Sequence, residues 1–326
     1  MPYPFEPLDF GQTRTFPLAD RPNKVDLGDF ARPHRAGAPT SDFLAGLPNI
    51  LAGGLVRRIA DWWAQAVRNR KVVLFTCGAH VLKVGLTPVL VDLMDRRALS
   101  AVALNGAGAI HDVEFAMQGQ SSEDVSAGIR TGRFGMVRET GEFLNRATAR
   151  AAREGLGLGE ALGRQIEEEA LPHRDVSLLA QAWKRDVPVT VHVSPGSDIH
   201  HSHPSTSGED LGAATFRDFR MLCGVVAAIR PGGVIMNVGS AVVLPVTLEK
   251  AFAAARNQGH PVEGFLGVNL DFLQHYRANN NTVGRARELG GEGCSLTGHH
   301  EIMVPLLAAA LIERLAAGPA AEDPAP

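Results

Sequence analysis

Lysine and cysteine are scarce in this sequence, and each scarcity narrows the kinds of site to expect. The three cysteines, Cys77, Cys223 and Cys294, are far apart with no CxxC pair, which disfavours both a zinc knuckle and a disulfide framework. Only five of the 32 basic residues are lysines, and the formal net charge of -3 gives no sign of a nucleic-acid-binding surface. The lysines are Lys24, Lys71, Lys83, Lys184 and Lys250.

Targeting signals are also lacking. The N-terminal MPYPFEPLDF has neither the basic region nor the apolar core of a signal peptide, and the apolar run IMVPLLAAALI is too short to cross a bilayer. We therefore expect a cytoplasmic protein that binds neither membrane nor nucleic acid. Residues 1–40 are rich in Pro, Arg, Gly and Asp and show no period, which predicts an extended arm. Residues 318–326 are predicted to be a disordered tail.

Residues 41–317 alternate apolar runs with helical patterns and are expected to form one domain. The predicted strands are 71–76, 100–105, 188–193, 233–239 and 262–269. The predicted helices are 41–70, a helix from Thr87, 111–185, 213–229, 246–258 and a last helix from Gly298, with a polar loop over 277–297. Buried strands that alternate with helices predict an α/β fold, a Rossmann-like parallel sheet with helices on both faces.

Small or polar residues follow each predicted strand. The carboxyl ends of parallel strands meet at one edge of the sheet, so five such segments would converge on one crevice. Glycine there lets the backbone approach a phosphate or a ring, which favours NAD as cofactor. The segments are TCGAH (76–80), NGAGA (105–109), VSPGSD (193–198), NVGSA (237–241) and VNLD (268–271). The predicted cofactor residues are Gly78, Asn105, Gly106, Ala107, Gly239, Ser240, Asn269 and Gly298.

NGAGA is not a GxGxxG motif, so tight packing of a strand against a helix explains it equally well. The segment leads to His111 and Asp112, at the expected start of a helix. The positive end of a helix dipole lowers the pKa of an imidazole, which makes His111 a candidate base that Asp112 could orient. A helix cap or a core position is the alternative for His111.

Two other polar segments contain candidate groups. In SPGSDIHHSHPSTSGED, Asp198 precedes His200, His201 and His203, which could bind a divalent metal or lie in a solvated loop. In TGHHE (297–301), His299 either caps the last helix or acts as an acid or base. The predicted catalytic residues are therefore His111, Asp112, Asp198 and His299.

The order of these segments resembles deoxyhypusine synthase and its bacterial relatives over roughly residues 70–315. LNGAGAIHD resembles the family's two Thr, Ala, two Gly, Val and acidic cluster, which line its NAD site. VPVTVHVSPGSD is similar to the family's strand and Thr-Asp-Gly-Ser turn, and GGVIMNVGSAVVLP to its apolar strand, Gly-rich turn and Val-Val. GVNLDF lies where the family has Asn-Thr-Ala, and SLTGHHEIMVPLLAA resembles its Ala-Asp-Ala-Ser segment with the PLL that follows. The collinear set carries the resemblance.

The resemblance implies an NAD-binding fold, a homotetramer with sites between subunits, and an N-terminal extension that reaches a neighbour. It also implies NAD-dependent oxidation of a polyamine and transfer of its aminoalkyl group through an enzyme lysine. Here Arg285 stands about where that lysine would be, and no Lys follows Lys250. Arginine stays protonated and cannot form a Schiff base. The family's Lys-His-His is also missing, since Leu244 and Pro245 follow Val-Val.

The sequence therefore predicts a deoxyhypusine synthase-like enzyme, an NAD-dependent transferase that acts on a polyamine or related small amine without the family's imine-forming lysine. Two alternatives stay open. One is a metal-assisted hydrolase of an amidino or polyamine-like substrate, with a divalent ion held by the histidines of the His-rich loop. The other is a ligand-binding homologue that kept the fold and lost the nucleophile.

Overall fold

Six parallel strands form the centre of the molecule, which a computed structural model describes from residue 4 to residue 318. The strands are short apolar runs, as expected of a sheet that is buried on both faces. They lie in the order β3-β2-β1-β4-β5-β6, and every neighbouring pair is parallel. The strands are β1 (Val73–Cys77), β2 (Ala101–Asn105), β3 (Val189–His192), β4 (Val234–Val238), β5 (Leu266–Asp271) and β6 (Glu292–Thr297).

Helices connect the strands and cover both faces of the sheet. Before β2 they are α1 (Thr40–Gly46), α2 (Leu51–Arg68), α3 (Ala79–Lys83) and α4 (Thr87–Asp95). Between β2 and β3 they are α5 (Gly106–Gln118), α6 (Val125–Thr131), α7 (Arg138–Glu154), α8 (Leu158–Glu168) and α9 (Leu178–Trp183). Then follow α10 (Gly208–Ala227), α11 (Val243–Asn257), α12 (Tyr276–Ala278), a π-helical turn (Asn279–Gly284), α13 (Arg285–Glu288) and α14 (His300–Ala316).

The sheet separates two apolar cores. Side chains alternate along β1, so Val73 and Phe75 enter the larger core and Leu74 enters the smaller one. In α2 the buried residues Ile59 and Trp63 lie one turn apart, which directs one face of the helix into the larger core. Residues of α10 and α11 close the smaller core on the other face. The predicted α/β fold with helices on both faces is therefore confirmed.

The strand order reverses between β1 and β4, which places a switch point, the position expected for a crevice, at the carboxyl edge of the sheet. From β1 the sheet extends through β2 to β3 on one side, and from β4 through β5 to β6 on the other. The connections that leave the carboxyl ends of β1 and β4 diverge, and open α/β sheets bind ligands at such a switch point. Gly78 and Gly239, which follow these two strands, lie at the centre of this edge.

Three element boundaries differ from the predicted ones. The helix predicted over 41–70 is divided between α1 and α2 because Pro48 interrupts it. The next helix after β2 begins at Gly106, earlier than predicted, because the side chain of Asn105 caps its first turn. The polar loop predicted over 277–297 contains the π-helical turn and β6, whose Glu, Gly and Ser residues obscure the apolar pattern of a strand.

The arm predicted at the N-terminus packs little of its apolar surface against its own chain. Residues 4–39 contain three 3-10 turns and no α-helix or strand. The apolar side chains that stay exposed there are Phe5, Leu8, Phe10, Phe16, Leu18, Val25, Leu27 and Phe30.

Two predictions concern the C-terminal tail and the membrane. Apart from Gly318, the predicted tail of residues 318–326 lies outside the described residues. Between residues 4 and 318, no helix is both long enough and apolar enough to span a membrane.

Candidate functional site

Backbone atoms close the base of the crevice between β1 and β4. A carbon added to Gly78 would overlap the carbonyl oxygen of Gly239. Gly239 itself has a φ of 65°, and a carbon there would lie 2.6 Å from the ring of His300. Both glycine N–H groups are used internally, since Gly78 donates to Val238 at 2.9 Å and Gly239 to Leu270 at 3.0 Å. These two predicted cofactor residues shape the crevice without offering free donors.

Two histidines and an aspartate form a chain across this crevice, which we call the His–His–Asp chain. His80 on α3 and His300 at the start of α14 face each other, with their Nδ1 atoms 3.0 Å apart. The Nε2 atom of His300 lies 3.5 Å from Oδ1 of Asp271, the last residue of β5, which is an ion-pair distance, and this nitrogen has no hydrogen-bond partner within residues 4–318. His300 and Asp271 are buried, whereas His80 is partly exposed. The chain therefore leads from a buried carboxylate to an accessible imidazole.

The order of groups in the chain assigns a role to each ring nitrogen. In the tautomer that places the proton of His300 on Nε2, the nitrogen nearest the Asp271 carboxylate, Nδ1 of His300 accepts and Nδ1 of His80 donates. The lone pair of His80 then lies on Nε2, to which no residue between 4 and 318 hydrogen-bonds. The arrangement can take up a proton at this atom and stabilise the resulting charge through His300 and Asp271.

Burial and neighbouring charges set the protonation of this chain. Burial lowers the pKa of His80, and the nearby His300 lowers it further. Burial alone would raise the pKa of Asp271, but its contacts with His300 and with backbone amides hold that pKa below its usual range. At neutral pH the chain therefore combines a neutral base with an ionised carboxylate.

An aromatic rim borders the His–His–Asp chain. The ring centre of Phe272 lies 5.9 Å from that of His80 and 5.5 Å from that of His300. It also stacks on His299 at 5.7 Å, with an angle of 17° between the planes. The side chain of His299 is 66% exposed, and its Nδ1 lies 3.8 Å from Glu301. The predicted acid or base His299 thus lies on the rim, and its neighbour His300 occupies the chain.

A separate cavity of about 290 Å³ lies beside the first turns of α5, and we call it the α5 cavity. Asp198 lines it from the loop after β3, and its carboxylate lies where a side chain on Gly106 would be. Burial raises the pKa of Asp198 to about 6, and its Oδ2 has no hydrogen-bond partner within residues 4–318. A buried acceptor without a partner is costly, so this atom marks a position for a ligand that donates a hydrogen bond.

His111 also lines the α5 cavity, where it belongs to a hydrogen-bonded row. Its Nδ1 lies 2.6 Å from Oγ of Ser121, and that hydroxyl donates to Glu114 at 2.6 Å. Burial lowers the pKa of His111. The predicted neutral imidazole therefore has a different cause, because His111 lies in the second turn of α5 and not at its N-terminus.

Asp112 does not share the cavity of its neighbour. Its carboxylate accepts hydrogen bonds from Oγ of Ser177 at 2.5 Å and from the N–H groups of Leu178 at 2.6 Å and Leu179 at 3.1 Å. It is 1% exposed and accepts the free N–H groups of the first turn of α9. Adjacent helical residues point about 100° apart, and the structure pairs the Asp112 carboxylate with α9 instead of with the ring of His111. Asp112 is a structural cap.

The side chains of two predicted cofactor residues form hydrogen bonds inside the protein. Asn269 is fully buried, and its side chain accepts from Asn237 at 2.8 Å and donates to Gln274 at 2.9 Å. Oγ of Ser240 accepts the N–H of Leu244 at 3.3 Å, at the start of α11. Both side chains hold strand ends in position, and the structure does not place them as direct contacts of a ligand.

Asn105, Ala107 and Gly298 complete the set of predicted cofactor residues. The side-chain oxygen of Asn105 is used to accept the N–H of Gly108 at 3.0 Å. The side chain of Met303 fills the space beside Gly298. Of these three residues, Ala107 lines the α5 cavity.

The His-rich loop, residues 194–210, brings together no set of metal ligands among the described residues. Nε2 of His201 lies 3.8 Å from Asp198, and the ring of His200 packs against His201 with 4.5 Å between ring centres. His203 instead contacts Oγ of Ser205 at 2.8 Å. Across residues 4–318, no three His, Cys, Asp or Glu side chains converge as metal ligands. The described residues therefore give no support to the metal alternative at His200, His201 and His203.

Arg285, which stands about where the resemblance would place a lysine, is held in ion pairs. It lies 3.1 Å from Glu249 and 2.5 Å from Glu288. The one lysine that lines the α5 cavity is Lys83, at the end of α3.

The His–His–Asp chain contains three residues that the sequence analysis did not select. Each stands in a segment that it did single out: His80 ends TCGAH, Asp271 ends VNLD, and His300 follows His299 in TGHHE. The available signal was that all three follow carboxyl ends of strands. The phase of α14 decides which of two adjacent histidines enters the crevice, and β6, which sets that phase, was missed.

Two features of the α5 cavity fit a nicotinamide dinucleotide. Asp198 has an unshared carboxylate oxygen for a ribose hydroxyl, and the start of α5 has the positive end of a helix for phosphate. The glycines at the strand ends instead make room for atoms of the protein, since Gly78 lies against the carbonyl of Gly239, Gly106 against the carboxylate of Asp198, and Gly239 against the ring of His300. Asp198 and the N-terminus of α5 are therefore the groups that would hold the cofactor, and Gly78 and Gly239 give it no free donor.

Comparison with solved structures identifies relatives of the fold. AgrE, in its ternary complex with ornithine and NAD+, matches 81% of this chain with a TM-score of 0.54 and 14% identity, although the match covers 33% of AgrE. A deoxyhypusine synthase candidate from Entamoeba histolytica matches 85% of this chain and 94% of its own, with a TM-score of 0.52 and 8% identity. A conserved LOR/SDH candidate from Methanococcus maripaludis S2 matches 82% of this chain and 71% of its own, with a TM-score of 0.50 and 15% identity.

These likenesses concern the fold. This chain spans about a third of the length of AgrE. No family model and no curated relative matches the sequence. The chain has the deoxyhypusine synthase-like α/β fold, which it shares with AgrE and LOR/SDH structures at low sequence identity.

Proposed function

We propose that this protein is an NAD-dependent enzyme that oxidises a small amine, the first step of the aminoalkyl transfer expected from its resemblance. The observation that carries the proposal is the His–His–Asp chain at the switch point, where His80 and His300 lie 3.0 Å apart. A neutral base that is accessible to a ligand and backed by a buried carboxylate is suited to remove a proton from a bound ammonium group.

The comparisons support this choice of ligands. The AgrE structure of similar fold holds ornithine, an amine, together with NAD+. The proposal needs the same two ligand classes at one sheet edge. Asp198 and the first turn of α5 would hold the dinucleotide, and the crevice lined by Gly239 would bring it towards His80.

The residues of the chain supply proton transfer and orientation. His80 takes a proton from the substrate nitrogen at Nε2, which frees the nitrogen lone pair to form an imine. His300 orients His80, the Asp271 carboxylate behind it stabilises the charged form, and the ring of Phe272 packs beside His80. When bound, NAD+ accepts a hydride from the carbon that carries the nitrogen.

The proposal includes transfer of the aminoalkyl group to an acceptor. No lysine of the enzyme carries the group during that transfer. The ion pairs of Arg285 leave that position no such role. The metal-assisted hydrolase has no comparable observation in its favour, because the His-rich loop brings together no metal-ligand set in residues 4–318.

Calorimetry and absorbance at 340 nm test the proposed function together. We expect the purified protein to bind NAD+ with a measurable heat and to form NADH when small amines are added. A protein that binds NAD+ but reduces it with none of a panel of amines would support the non-catalytic alternative. Absence of binding at millimolar NAD+ would remove the cofactor assignment.

A homotetramer is also part of the proposal. The arm exposes eight apolar side chains, including Phe5 at 80% and Leu27 at 81%, which is unfavourable unless another surface covers them. The apolar rim beside the crevice is exposed too, with Leu273 at 58% and Tyr276 at 78%. We expect light scattering at micromolar protein to give four times the 34.7 kDa chain mass. A mass equal to one chain at every concentration would contradict this.

A further inference from the structure

A buried imidazole and a buried carboxylate face each other without bonding beside the α5 cavity. Nε2 of His201 and Oδ2 of Asp198 lie 3.8 Å apart, too far for a hydrogen bond, and neither atom has a hydrogen-bond partner within residues 4–318. Both side chains are more than nine-tenths buried, with 7% and 5% of their surface exposed. Buried polar atoms are normally paired, so these two mark the position of one further group.

The backbone of the loop after β3 fixes which of the two atoms donates. Nδ1 of His201 accepts the N–H groups of Gly196 at 3.1 Å and of Asp198 at 3.3 Å. Burial lowers the pKa of His201, so the ring is neutral at neutral pH, and its proton is on Nε2 because Nδ1 needs its lone pair. Burial raises the pKa of Asp198 to about 6, so this carboxylate is mostly ionised at neutral pH. A fixed donor therefore lies beside a group that accepts.

A hydroxyl is the ligand group that satisfies both atoms at once. It accepts a hydrogen bond from Nε2–H of His201 and donates its own proton to Oδ2 of Asp198. An oxygen about 2.8 Å from each atom fits the 3.8 Å between them. An ammonium group cannot accept from His201, and an ionised carboxylate or phosphate cannot donate to Asp198. The pair therefore distinguishes an alcohol from a charged group.

The place of the pair in the sheet fits a particular ribose of the dinucleotide. The start of α5, which would hold phosphate in the proposed function, follows β2, and Asp198 follows the neighbouring strand β3. In dinucleotide-binding sheets an acidic residue near the phosphate-binding turn binds the 2′-hydroxyl of the adenosine ribose. The charged residues that line the α5 cavity are Lys83, Glu114, Glu123 and Asp198. Three carboxylates and one ammonium group disfavour a further phosphate there.

We propose that His201 and Asp198 together bind the 2′-hydroxyl of the adenosine ribose, and that this pair makes the protein select NAD+ over NADP+. The inference rests on the proposed function and adds a determinant of cofactor specificity. His201 donates to the hydroxyl and Asp198 accepts from it. The 2′-phosphate of NADP+ has no proton to give in its ionised form, and it brings negative charge against the Asp198 carboxylate.

Dinucleotides that differ only at the 2′-position of the adenosine ribose test this inference by calorimetry. We expect the analogue of NAD+ with 2′-deoxyadenosine to bind about tenfold more weakly than NAD+, because it lacks the bridging hydroxyl. NADP+ should bind more weakly than the deoxy analogue, since it loses the same contact and adds repulsion. These measurements need no turnover, so they do not depend on the identity of the amine.

Two substitutions at His201 separate the roles of its two nitrogens. Asparagine reaches the position of Nδ1, so His201→Asn keeps an acceptor for the loop and loses the donor to the ribose. Glutamine reaches the position of Nε2, so His201→Gln keeps a donor there and loses the loop acceptor. We expect Kd for NAD+ to rise about tenfold in His201→Asn and less than about threefold in His201→Gln. The deoxy analogue should bind the wild-type and His201→Asn proteins equally well, because it has no hydroxyl for the ring to contact.

His203→Asn is the matched control. His203 belongs to the same loop, and its Nδ1 is likewise bonded locally, 2.8 Å from Oγ of Ser205. The same substitution there should leave Kd for NAD+ unchanged. Urea denaturation of each variant shows that it is folded before its Kd is compared.

Three results would overturn the inference and leave the proposed function in place. The first is equal affinity for NAD+ and NADP+. The second is a folded His201→Asn protein with an unaltered Kd for NAD+. The third is a His201→Asn protein that loses the same factor for NAD+ and for the deoxy analogue, which would mean that a water molecule bridges the pair. Absence of NAD+ binding to the wild-type protein would instead contradict the proposed function, and this inference with it.

Discussion

Replacement of His80 by glutamine is expected to lower kcat by about 10²–10⁴ while NAD+ affinity and thermal stability change little. This range is typical of losing a general base. His80 is partly exposed and glutamine has a similar size, so the packing of α3 should survive. Loss of the ring removes the atom that takes the proton, while Asp198 and α5, which would hold the dinucleotide, are untouched.

Variants along the chain separate catalysis from folding. His300→Ala should cause a loss of kcat of similar size, but His300 is buried, so some stability should be lost too. Asp271→Asn should have a smaller effect, since it removes the supporting carboxylate and leaves His80 its proton-accepting atom. His260→Ala, in the turn after α11, serves as control. A folded His80→Gln protein that turns over normally without added imidazole would exclude His80 as the base. His111 would then be the next candidate.

The same chain predicts how the rate depends on pH. His80 must be neutral to accept a proton, and burial lowers its pKa. Turnover should therefore be constant near neutrality and fall on the acid side, with a midpoint below the usual histidine value, as His80 becomes protonated. In the Asp271→Asn protein the midpoint should move lower still, because a carboxylate that favours the charged imidazole has been removed. A midpoint that stays fixed in this variant would contradict the assigned coupling.

The fold was largely predictable from the sequence, because buried strands and amphipathic helices leave local patterns. Five of the six strands follow apolar runs such as that of β1, and their alternation with helices implies a parallel sheet. β6 was not predicted as a strand because Glu292, Gly293 and Ser295 interrupt its apolar pattern, although Cys294 and Leu296 are buried. Edge strands tolerate such residues, since one side of the strand pairs with no neighbour.

The site was predictable only to the level of segments. The sequence indicates that strand ends converge, but which side chain enters the crevice depends on where each helix begins and on its phase. Asn105 starts α5 early, which leaves His111 in the cavity and turns Asp112 towards α9. Glycines were selected because they let the backbone approach a phosphate or a ring, yet the N–H groups of Gly78 and Gly239 are used between strands. Pairings of this kind join distant segments and leave no local pattern.

Replacement of Gly106 by alanine is expected to weaken NAD+ binding by about 10–100-fold in a protein that folds normally. A carbon on Gly106 would overlap the carboxylate of Asp198, so that side chain must leave its position. A hydrogen bond to a charged group contributes about 1.5–3 kcal/mol, which corresponds to this change in Kd. The group that the added carbon meets is the end of the Asp198 side chain and not backbone, so a rotation of that side chain removes the overlap and the fold is kept.

Two further variants show whether the loss comes from Asp198. Asp198→Ala should weaken NAD+ binding by a similar factor, and combining it with Gly106→Ala should add little, because both changes remove the same contact. Gly212→Ala, on α10 where no atom lies within 4 Å of the added carbon, should leave Kd unchanged. Calorimetric titration with NAD+ gives the affinities, and urea denaturation gives the free energy of unfolding. An unaltered Kd in folded Gly106→Ala and Asp198→Ala proteins would mean that the α5 cavity does not hold the dinucleotide, and the crevice at His80 would have to bind its ligands without it.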